Sequence, residues 1–189
     1  MKKTLIVIDM QNDFIDGALG TPEAQAIVPN VKKKIEEYEA NGYDIVFTRD
    51  THQKDYLDTN EGKHLPVEHC IQNTNGWEIS KELDTSNASA IIDKPNFGYE
   101  DWRSHLSDFI DIEDGESWFP AMIEACPEYI EIVGLCTDIC VVSNALILKA
   151  TYPEANIVID ASCCAGVTPE SHQAALTTMK MCQINVIGE

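Results

Sequence analysis

The chain has 189 residues, of which 44% are hydrophobic and 24% charged, the composition of an ordinary globular protein. Its formal net charge of −19 argues against binding nucleic acid or an anionic membrane through charge, since either would repel it. The first apolar run ends at Asp9, too early for an export signal, and no run has the roughly 20 apolar residues of a membrane span. We therefore expect a cytoplasmic protein whose partner is a small molecule.

Six short apolar runs are predicted to form β-strands, at 4–9, 44–48, 90–94, 129–134, 156–163 and 184–188. Several are continuously apolar, which is typical of strands covered on both faces. Helical patterns lie between them, and this alternation predicts a three-layer α/β fold with a mostly parallel six-stranded sheet and helices on both faces. The whole chain, 1–189, is interpreted as a single domain.

Three helices are predicted from their start and stop residues. The first runs over 29–42, with Pro29 at its first position and Gly42 as its end. The second runs from an N-cap at Thr137 to Pro153, and the third begins with Thr168 as its cap. The acidic stretch 108–116 is interpreted as a solvated turn.

The connection between the second and third strands, 49–89, is unusually long and carries one predicted short helix, around 76–83. Connections longer than about 12–15 residues without structure of their own are usually functional or disordered. This one is rich in side chains that can bind metals. We therefore predict that 49–89 is an insertion that builds a metal site and part of a substrate site.

Reactive side chains fall at three strand ends. Asp9 ends the first strand, Lys94 ends the third, and Cys140 lies in the first turn of the helix after the fourth. Ligands of open parallel sheets bind outside the carboxyl ends of the strands. A helix N-terminus and a nearby ammonium would both lower the pKa of the Cys140 thiol, and Asp9 could accept its proton. The alternative is that these residues are only structural, with Asp9 as a cap after the strand and Cys140 as a residue of the core.

The long connection contains a candidate metal site. Asp50 and His52 are two residues apart, which in an extended segment places both side chains on one face, and Glu61, His64 and His69 follow. Imidazole with carboxylate suits zinc, iron or manganese better than calcium. The alternative is a pair of side chains that only hydrogen-bond within a loop.

Three motifs, in chain order, resemble those of the isochorismatase-like cysteine hydrolases: VIDMQNDF at 7–14, DKPNFG at 93–98 and GLCTDICV at 134–141. The resemblance implies a catalytic triad of Asp9, Lys94 and Cys140. It also implies a cis peptide bond between Leu135 and Cys136, an oxyanion hole formed by the backbone N–H groups of Cys136 and Cys140, and assembly into homo-oligomers.

The long connection is most similar to that of the nicotinamidase branch of this superfamily. The resemblance implies a divalent transition metal, with zinc expected and iron or manganese as alternatives. The implied substrate is nicotinamide or a close aromatic amide, hydrolysed through a cysteine thioester in NAD salvage. The implied metal ligands are Asp50, His52, Glu61 and His69.

The sequence departs from that branch at LPVEHC, residues 65–70. Leu65 replaces a common tryptophan, and one extra residue precedes the histidine, which leaves the exact amide open. Phe14 is expected to form one wall of the substrate site, with Leu65 and either Phe97 or Tyr99 forming others. The alternatives are a family amidase acting on another small amide or carbamoyl compound and, remotely, a non-catalytic flavodoxin-like binding module.

Overall fold

The computed structural model describes residues 3–106 and 126–189, so the acidic stretch 108–116 lies outside the described residues. Six strands form one parallel sheet in the order β3-β2-β1-β4-β5-β6. This confirms the predicted α/β fold. The strands are β1 Lys3–Ile8, β2 Asp44–Asp50, β3 Ala90–Lys94, β4 Tyr129–Leu135, β5 Asn156–Ala165 and β6 Asn185–Ile187.

Helices cover both faces of the sheet. Leu5 and Val7 of β1 belong to the core cluster under one long helix, whereas Ile6 and Ile8 belong to the cluster under two others. This alternation explains why β1 is continuously apolar. The helices are α1 Asn12–Ile15, α2 Pro22–Ala40, α3 Asn60–His64, α4 Arg103–Leu106, α5 Val142–Thr151 and α6 Pro169–Met181. None of those described is long and apolar enough to cross a membrane.

Helix α2 begins at Pro22, so the predicted start at Pro29 is wrong. Thr21 caps the helix, because its side chain accepts a hydrogen bond from the Ala24 N–H at 3.0 Å. Pro29 lies inside the helix, where a proline usually costs about 3 kcal/mol. The turns before it are held by apolar side chains buried in the core, which are Ala24, Ile27 and Val28.

The helix after β4 also begins differently from the prediction. Cys136, not Thr137, occupies the N-cap position, and Thr137 opens a π-helical turn, Thr137–Val141, that leads into α5. The Thr137 hydroxyl lies 2.8 Å from His172 Nδ1 and makes no cap. The Val141 N–H donates to the Cys136 carbonyl at 3.0 Å, and such wide turns are frequent at functional sites. Thr168, by contrast, caps α6 as predicted.

The segment between β2 and β3 is tied to the end of β1. The predicted helix around 76–83 is not formed; Ile79 instead forms an antiparallel bridge with Gln11, and the Ser80 N–H donates to the Met10 carbonyl at 2.9 Å. Helical structure occurs earlier in the segment, as a 3₁₀ turn over Tyr56–Asp58 and as α3. Pairing with the residues that follow β1 therefore decides the backbone here, not local helix propensity.

Candidate active site

The structure brings Asp9, Lys94 and Cys140 together at the carboxyl ends of the strands. Lys94 Nζ lies 2.7 Å from Asp9 Oδ2 and 3.6 Å from Cys140 Sγ. All three side chains are buried. The contact joins three residues that are far apart in the sequence, because parallel strands deliver their carboxyl ends to one edge of the sheet.

Asp9 follows β1 with a φ of 47°, in the left-handed region that aspartate tolerates better than most residues. The Thr48 hydroxyl donates to Asp9 Oδ1 at 2.6 Å and accepts from the Asp9 N–H at 3.2 Å. Burial raises the pKa of Asp9 above its ordinary value, the Lys94 ammonium opposes this rise, and Asp50 adds to it. A carboxyl group with a raised pKa is suited to accepting and returning a proton near neutral pH.

Lys94 is fully buried and its ammonium group has partners on several sides. Besides Asp9 and Cys140, it contacts Asp50 Oδ1 at 3.4 Å and donates to the Asn96 carbonyl at 3.0 Å. Burial alone would lower the pKa of Lys94, but the acidic groups of Asp9, Cys140 and Asp50 outweigh burial and raise it. The lysine therefore stays protonated and supplies the positive charge of the site.

The pKa of the Cys140 thiol is raised well above its ordinary value, whereas the sequence predicts a lowered one. Burial is the largest cause; Lys94 lowers the pKa, but Asp9 and Asp50 raise it. One ammonium group does not offset full burial and two carboxylates. The predicted lowering of the Cys140 pKa is therefore wrong in direction.

The backbone before Cys140 has two special features. The Leu135–Cys136 peptide bond is cis, as the resemblance implies. Gly134 has a φ of +117°, and a Cβ atom added to it would lie 2.1 Å from the Ile8 carbonyl oxygen. Only glycine allows β4 to approach β1 this closely. This close approach places the turn that contains Cys140 next to Asp9.

Four side chains next to the triad converge on one point: Asp50, His52, Glu61 and His69 each offer a ligand atom, and these atoms lie within 4.8 Å of one another. His52 Nε2 is 3.0 Å from Asp50 Oδ2 and 3.4 Å from Glu61 Oε1. His69 Nε2 is 3.8 and 3.9 Å from the same two oxygens.

These four residues fit a zinc-like ion. Ligand atoms about 2.0–2.2 Å from a tetrahedral ion are about 3.3–3.6 Å apart, within the range of the nitrogen–oxygen separations of 3.0–3.9 Å seen here. His52 Nε2 and Glu61 Oε1 are buried without a properly oriented hydrogen-bond partner, as expected of atoms that an ion satisfies. His69 Nδ1 lies 2.8 Å from the Val67 carbonyl, which leaves Nε2 to face the other ligands.

The electrostatics of this cluster favour a cation. Burial by itself would lower the pKa of His52, but Asp50 and Glu61 raise it to about 9. One buried carboxylate, of Asp50, and one partly buried carboxylate, of Glu61, thus attract positive charge to this point, either a proton on His52 or a metal ion. Asp50 connects the cluster to the triad, because its other oxygen contacts Lys94.

Sequence reasoning missed two residues that hold the metal cluster in place, although both lie in the QND motif at 11–13. The fully buried Gln11 donates from Nε2 to the Asp50 and Trp77 carbonyls at 2.9 and 2.8 Å, and its Oε1 accepts from the Asp50 N–H at 2.7 Å. Asp13 Oδ2 accepts from the N–H of Cys70, the residue after His69, at 2.7 Å. The motif therefore anchors both ends of the metal-bearing segment.

Tyr56 is a third residue that the sequence did not single out. Its fully buried ring packs against the His52 and His69 rings, with centroids 4.6 and 4.9 Å away. Its hydroxyl donates to the Leu65 carbonyl at 3.0 Å. Tyr56 therefore holds the His52 and His69 rings and the backbone of Leu65, a predicted substrate contact. No local sequence pattern around Tyr56 indicates this role.

The predicted substrate contacts differ in their surroundings. The buried Phe14 ring lies 5.5 Å from the His69 ring, beside the metal cluster. Leu65 and Phe97 are 38% and 42% exposed. The Tyr99 ring packs edge-on against Trp102, and its hydroxyl lies 3.1 Å from His105 Nε2. Tyr99 is thus occupied by neighbours around α4, whereas the Phe97 side chain is partly exposed.

Comparisons with known proteins agree with this geometry. A nicotinamidase of Schizosaccharomyces pombe is 26% identical, over 98% of this chain and 92% of its own. A zinc complex of the pyrazinamidase of Pyrococcus horikoshii is 28% identical with a TM-score of 0.76, covering 100% of both chains. A nicotinamidase/pyrazinamidase of Bacillus subtilis is 29% identical with a TM-score of 0.74, covering 98% and 99%. These similarities support an amidohydrolase. The isochorismatase-domain model matches residues 3–188, so the chain belongs to the isochorismatase family.

Proposed function

We propose that the chain hydrolyses the carboxamide of nicotinamide, or of a close aromatic amide, to the acid and ammonia. The observation that carries this proposal is the buried Lys94 ammonium in contact with both Asp9 Oδ2 and Cys140 Sγ. Relatives that are nicotinamidases support the choice of amide. The acid formed would enter NAD salvage.

The first half of the reaction forms a thioester on Cys140. Asp9 accepts the thiol proton while Cys140 Sγ attacks the amide carbon, which fits a thiol whose pKa is raised and a carboxylate beside it. The oxyanion accepts hydrogen bonds from the backbone N–H groups of Cys136 and Cys140. Asp9 then returns its proton to the amine, the C–N bond breaks, and ammonia leaves.

The second half releases the acid. Asp9 removes a proton from water as the water attacks the thioester carbon; the C–S bond breaks and Cys140 regains its proton. Lys94 remains charged throughout and stabilises whichever of Asp9 and Cys140 carries negative charge. The sum is amide plus water to acid plus ammonia.

The proposed metal ligands are Asp50, His52, Glu61 and His69, with zinc as the expected ion. A divalent ion held by these residues would supply a Lewis acid for a ring nitrogen of the substrate. The protein orients this end of the site through Gln11, which bonds the Asp50 backbone, and through Tyr56, which packs on both imidazoles. Phe14 forms an apolar wall next to it.

The test is ammonia release from nicotinamide with zinc supplied. Wild-type protein is expected to release ammonia, and Cys140→Ala to lose at least about a thousandfold in rate, because no other group forms the thioester. Cys163→Ala, which removes another buried thiol away from the site, is the matched control and is expected to keep its activity. Substantial turnover by Cys140→Ala would reject the mechanism.

A second outcome would move the substrate assignment. Leu65 stands in the place of an aromatic ring and is partly exposed, which favours a less tightly enclosed substrate. If wild-type protein leaves nicotinamide intact but a carbamoyl compound or another small amide yields ammonia in a Cys140-dependent way, the reaction class stands. Nicotinamide would then be the wrong substrate.

A further inference from the structure

Asn144 is a fully buried residue, one helical turn after Cys140, that neither the sequence motifs nor the proposed chemistry uses. All four hydrogen-bonding positions of its amide are filled. Nδ2 donates to the Cys140 carbonyl at 2.8 Å and to the Phe97 carbonyl at 2.9 Å. Oδ1 accepts from the Tyr99 N–H at 2.8 Å and from Trp102 Nε1 at 3.2 Å.

Three of these bonds link the nucleophile turn to the loop over 95–102, which follows Lys94. The same loop supplies the Asn96 carbonyl that holds the Lys94 ammonium. It also packs closely on α5, since a Cβ atom added to Gly98 would lie 2.5 Å from Ile147 Cδ1. The loop is therefore seated on α5, with its backbone held at Phe97 and at Tyr99 by one amide.

Only a side chain with donors and an acceptor in this arrangement can make all four bonds. An ionised aspartate has no donor for the two carbonyls, and a leucine of similar size has neither donor nor acceptor. Buried carbonyl and N–H groups that lose their partners favour a movement of the loop toward other partners or water. The position of Phe97 relative to Cys140 thus depends on Asn144.

We propose that Asn144 is a positioning residue that sets the separation between the loop over 95–102 and Cys140. It thereby determines how wide an aromatic amide the site accepts. This proposal rests on the proposed function for its choice of substrate. Asn144 acts through the backbone of Phe97 and of Cys140 and takes no part in proton transfer.

The experiment compares Asn144→Leu with Leu148→Ala, a control that removes a buried core contact on the same helix, one turn further on. For each protein, kcat and KM are measured with nicotinamide and with 5-methylnicotinamide, whose methyl group makes the molecule wider. Asn144→Leu is expected to raise KM for nicotinamide about tenfold, with kcat within about threefold. The ratio of kcat/KM for the two amides is expected to change at least about fivefold in Asn144→Leu. Leu148→Ala is expected to change neither KM for nicotinamide nor this ratio.

The selectivity ratio does not depend on the fraction of folded enzyme, so a merely structural role would leave it unchanged. An unchanged ratio with an equal fall in kcat for both amides would overturn the proposal. If Asn144→Leu does not fold, Asn144→Ala, which is smaller, takes its place, and failure of both to fold would also overturn it.

A lack of nicotinamide turnover by wild type would refute the proposed function rather than this inference. In that event, the alkylation rate of Cys140 by iodoacetamide, itself a small amide, replaces turnover. Asn144→Leu is expected to change this rate at least about fivefold relative to wild type, and Leu148→Ala is not. Equal rates in all three proteins would overturn the inference.

Discussion

Cys140 shows how a single residue can be recognised from its motif and still be misjudged in its chemistry. Its position after β4 and beside Lys94 agrees with the sequence, but its thiol is surrounded by more negative than positive charge. Full burial and these charges raise the pKa of the thiol and so favour its neutral form. In the proposed mechanism, the Asp9 carboxylate, and not the helix N-terminus, makes the thiol reactive by accepting its proton.

The pH dependence of Cys140 alkylation checks this conclusion. Because the raised pKa keeps the thiol protonated, its rate of reaction with iodoacetamide in the substrate-free protein is expected to keep rising beyond about pH 9, above the ordinary thiol pKa. Mass spectrometry of the Cys140 peptide gives the rate, with free glutathione as the reference thiol. A plateau reached near neutral pH would instead indicate a resting thiolate.

Two elements decide whether the site forms at all, and one of them is the end of β4. Gly134 allows β4 to lie against β1 with its backbone in a region that side chains rarely adopt. The cis bond and the π-helical turn follow within a few residues. An alteration at Gly134 is therefore transmitted directly to Asp9 and Cys140.

Gly134→Ala is expected to lower the free energy of unfolding by about 2–4 kcal/mol, because its Cβ would meet the Ile8 carbonyl and its φ is unfavourable. Gly42→Ala is the matched control: Gly42 also has a positive φ, +66°, but no atom lies within 4 Å of an added Cβ. Its expected loss is about 1 kcal/mol. Urea unfolding measures both, and equal losses would show that the close approach to β1 is unimportant.

The segment between β2 and β3 is the other decisive element. It brings His52, Glu61 and His69 to Asp50 although it contains little regular structure, because α1 residues and Tyr56 hold its backbone and side chains. Glu61 Oε1 lies 3.4 Å from His52 Nε2 and 3.9 Å from His69 Nε2, which is consistent with the proposed role of Glu61 as a metal ligand.

Addition of zinc is expected to raise the melting temperature of the metal-free protein, because an ion that binds only the folded state stabilises it. At a free zinc concentration a hundredfold above Kd, the free energy of unfolding increases by about 2.7 kcal/mol. His69→Ala is expected to lose this shift. His64→Ala is the control, because His64 is exposed and contacts only the Asn60 carbonyl among the groups described. Calorimetric titration with zinc gives the affinities, and equal zinc binding by both variants would reject the site.

At the scale of the whole molecule, a second buried charge network joins α2 to β4 and β5, away from the active site. Lys34 lies 2.7 Å from Glu131 Oε1 and 3.0 Å from Asp160 Oδ2, and the Tyr38 hydroxyl donates to Glu131 Oε2 at 2.7 Å. Burial alone would raise the pKa of Asp160, but Ser162 and Lys34 outweigh it and lower the pKa. Asp160 therefore contributes to stability through this network only while its carboxyl group is ionised.

The sign of the pH effect follows from this lowered pKa. A carboxyl group with a lower pKa in the folded state stabilises the fold above its unfolded pKa of about 3.9, and this contribution disappears as the pH falls through the folded value. Asp160→Asn is therefore expected to lower the free energy of unfolding at neutral pH, with the difference from wild type shrinking in acid. Urea unfolding across this range tests it; a difference that stays constant would contradict the prediction.

The six strands and the family motifs were readable from the sequence because they depend on local patterns: continuous apolar runs, caps such as Thr168, and reactive residues at strand ends. The proposed roles of the triad, of the metal ligands and of the substrate contacts remain predictions. So do the single-domain interpretation of 1–189, the cytoplasmic location and the homo-oligomer.

The α/β fold, the family and the residues that meet at the edge of the sheet can be read from the sequence alone. The start of α2, the direction of the Cys140 pKa shift and the anchoring by Gln11, Tyr56 and Asn144 depend on the three-dimensional structure. The reason is physical: burial, electrostatic fields and hydrogen bonds between residues far apart in the chain depend on distances in space. Local propensity and motif spacing do not indicate those distances.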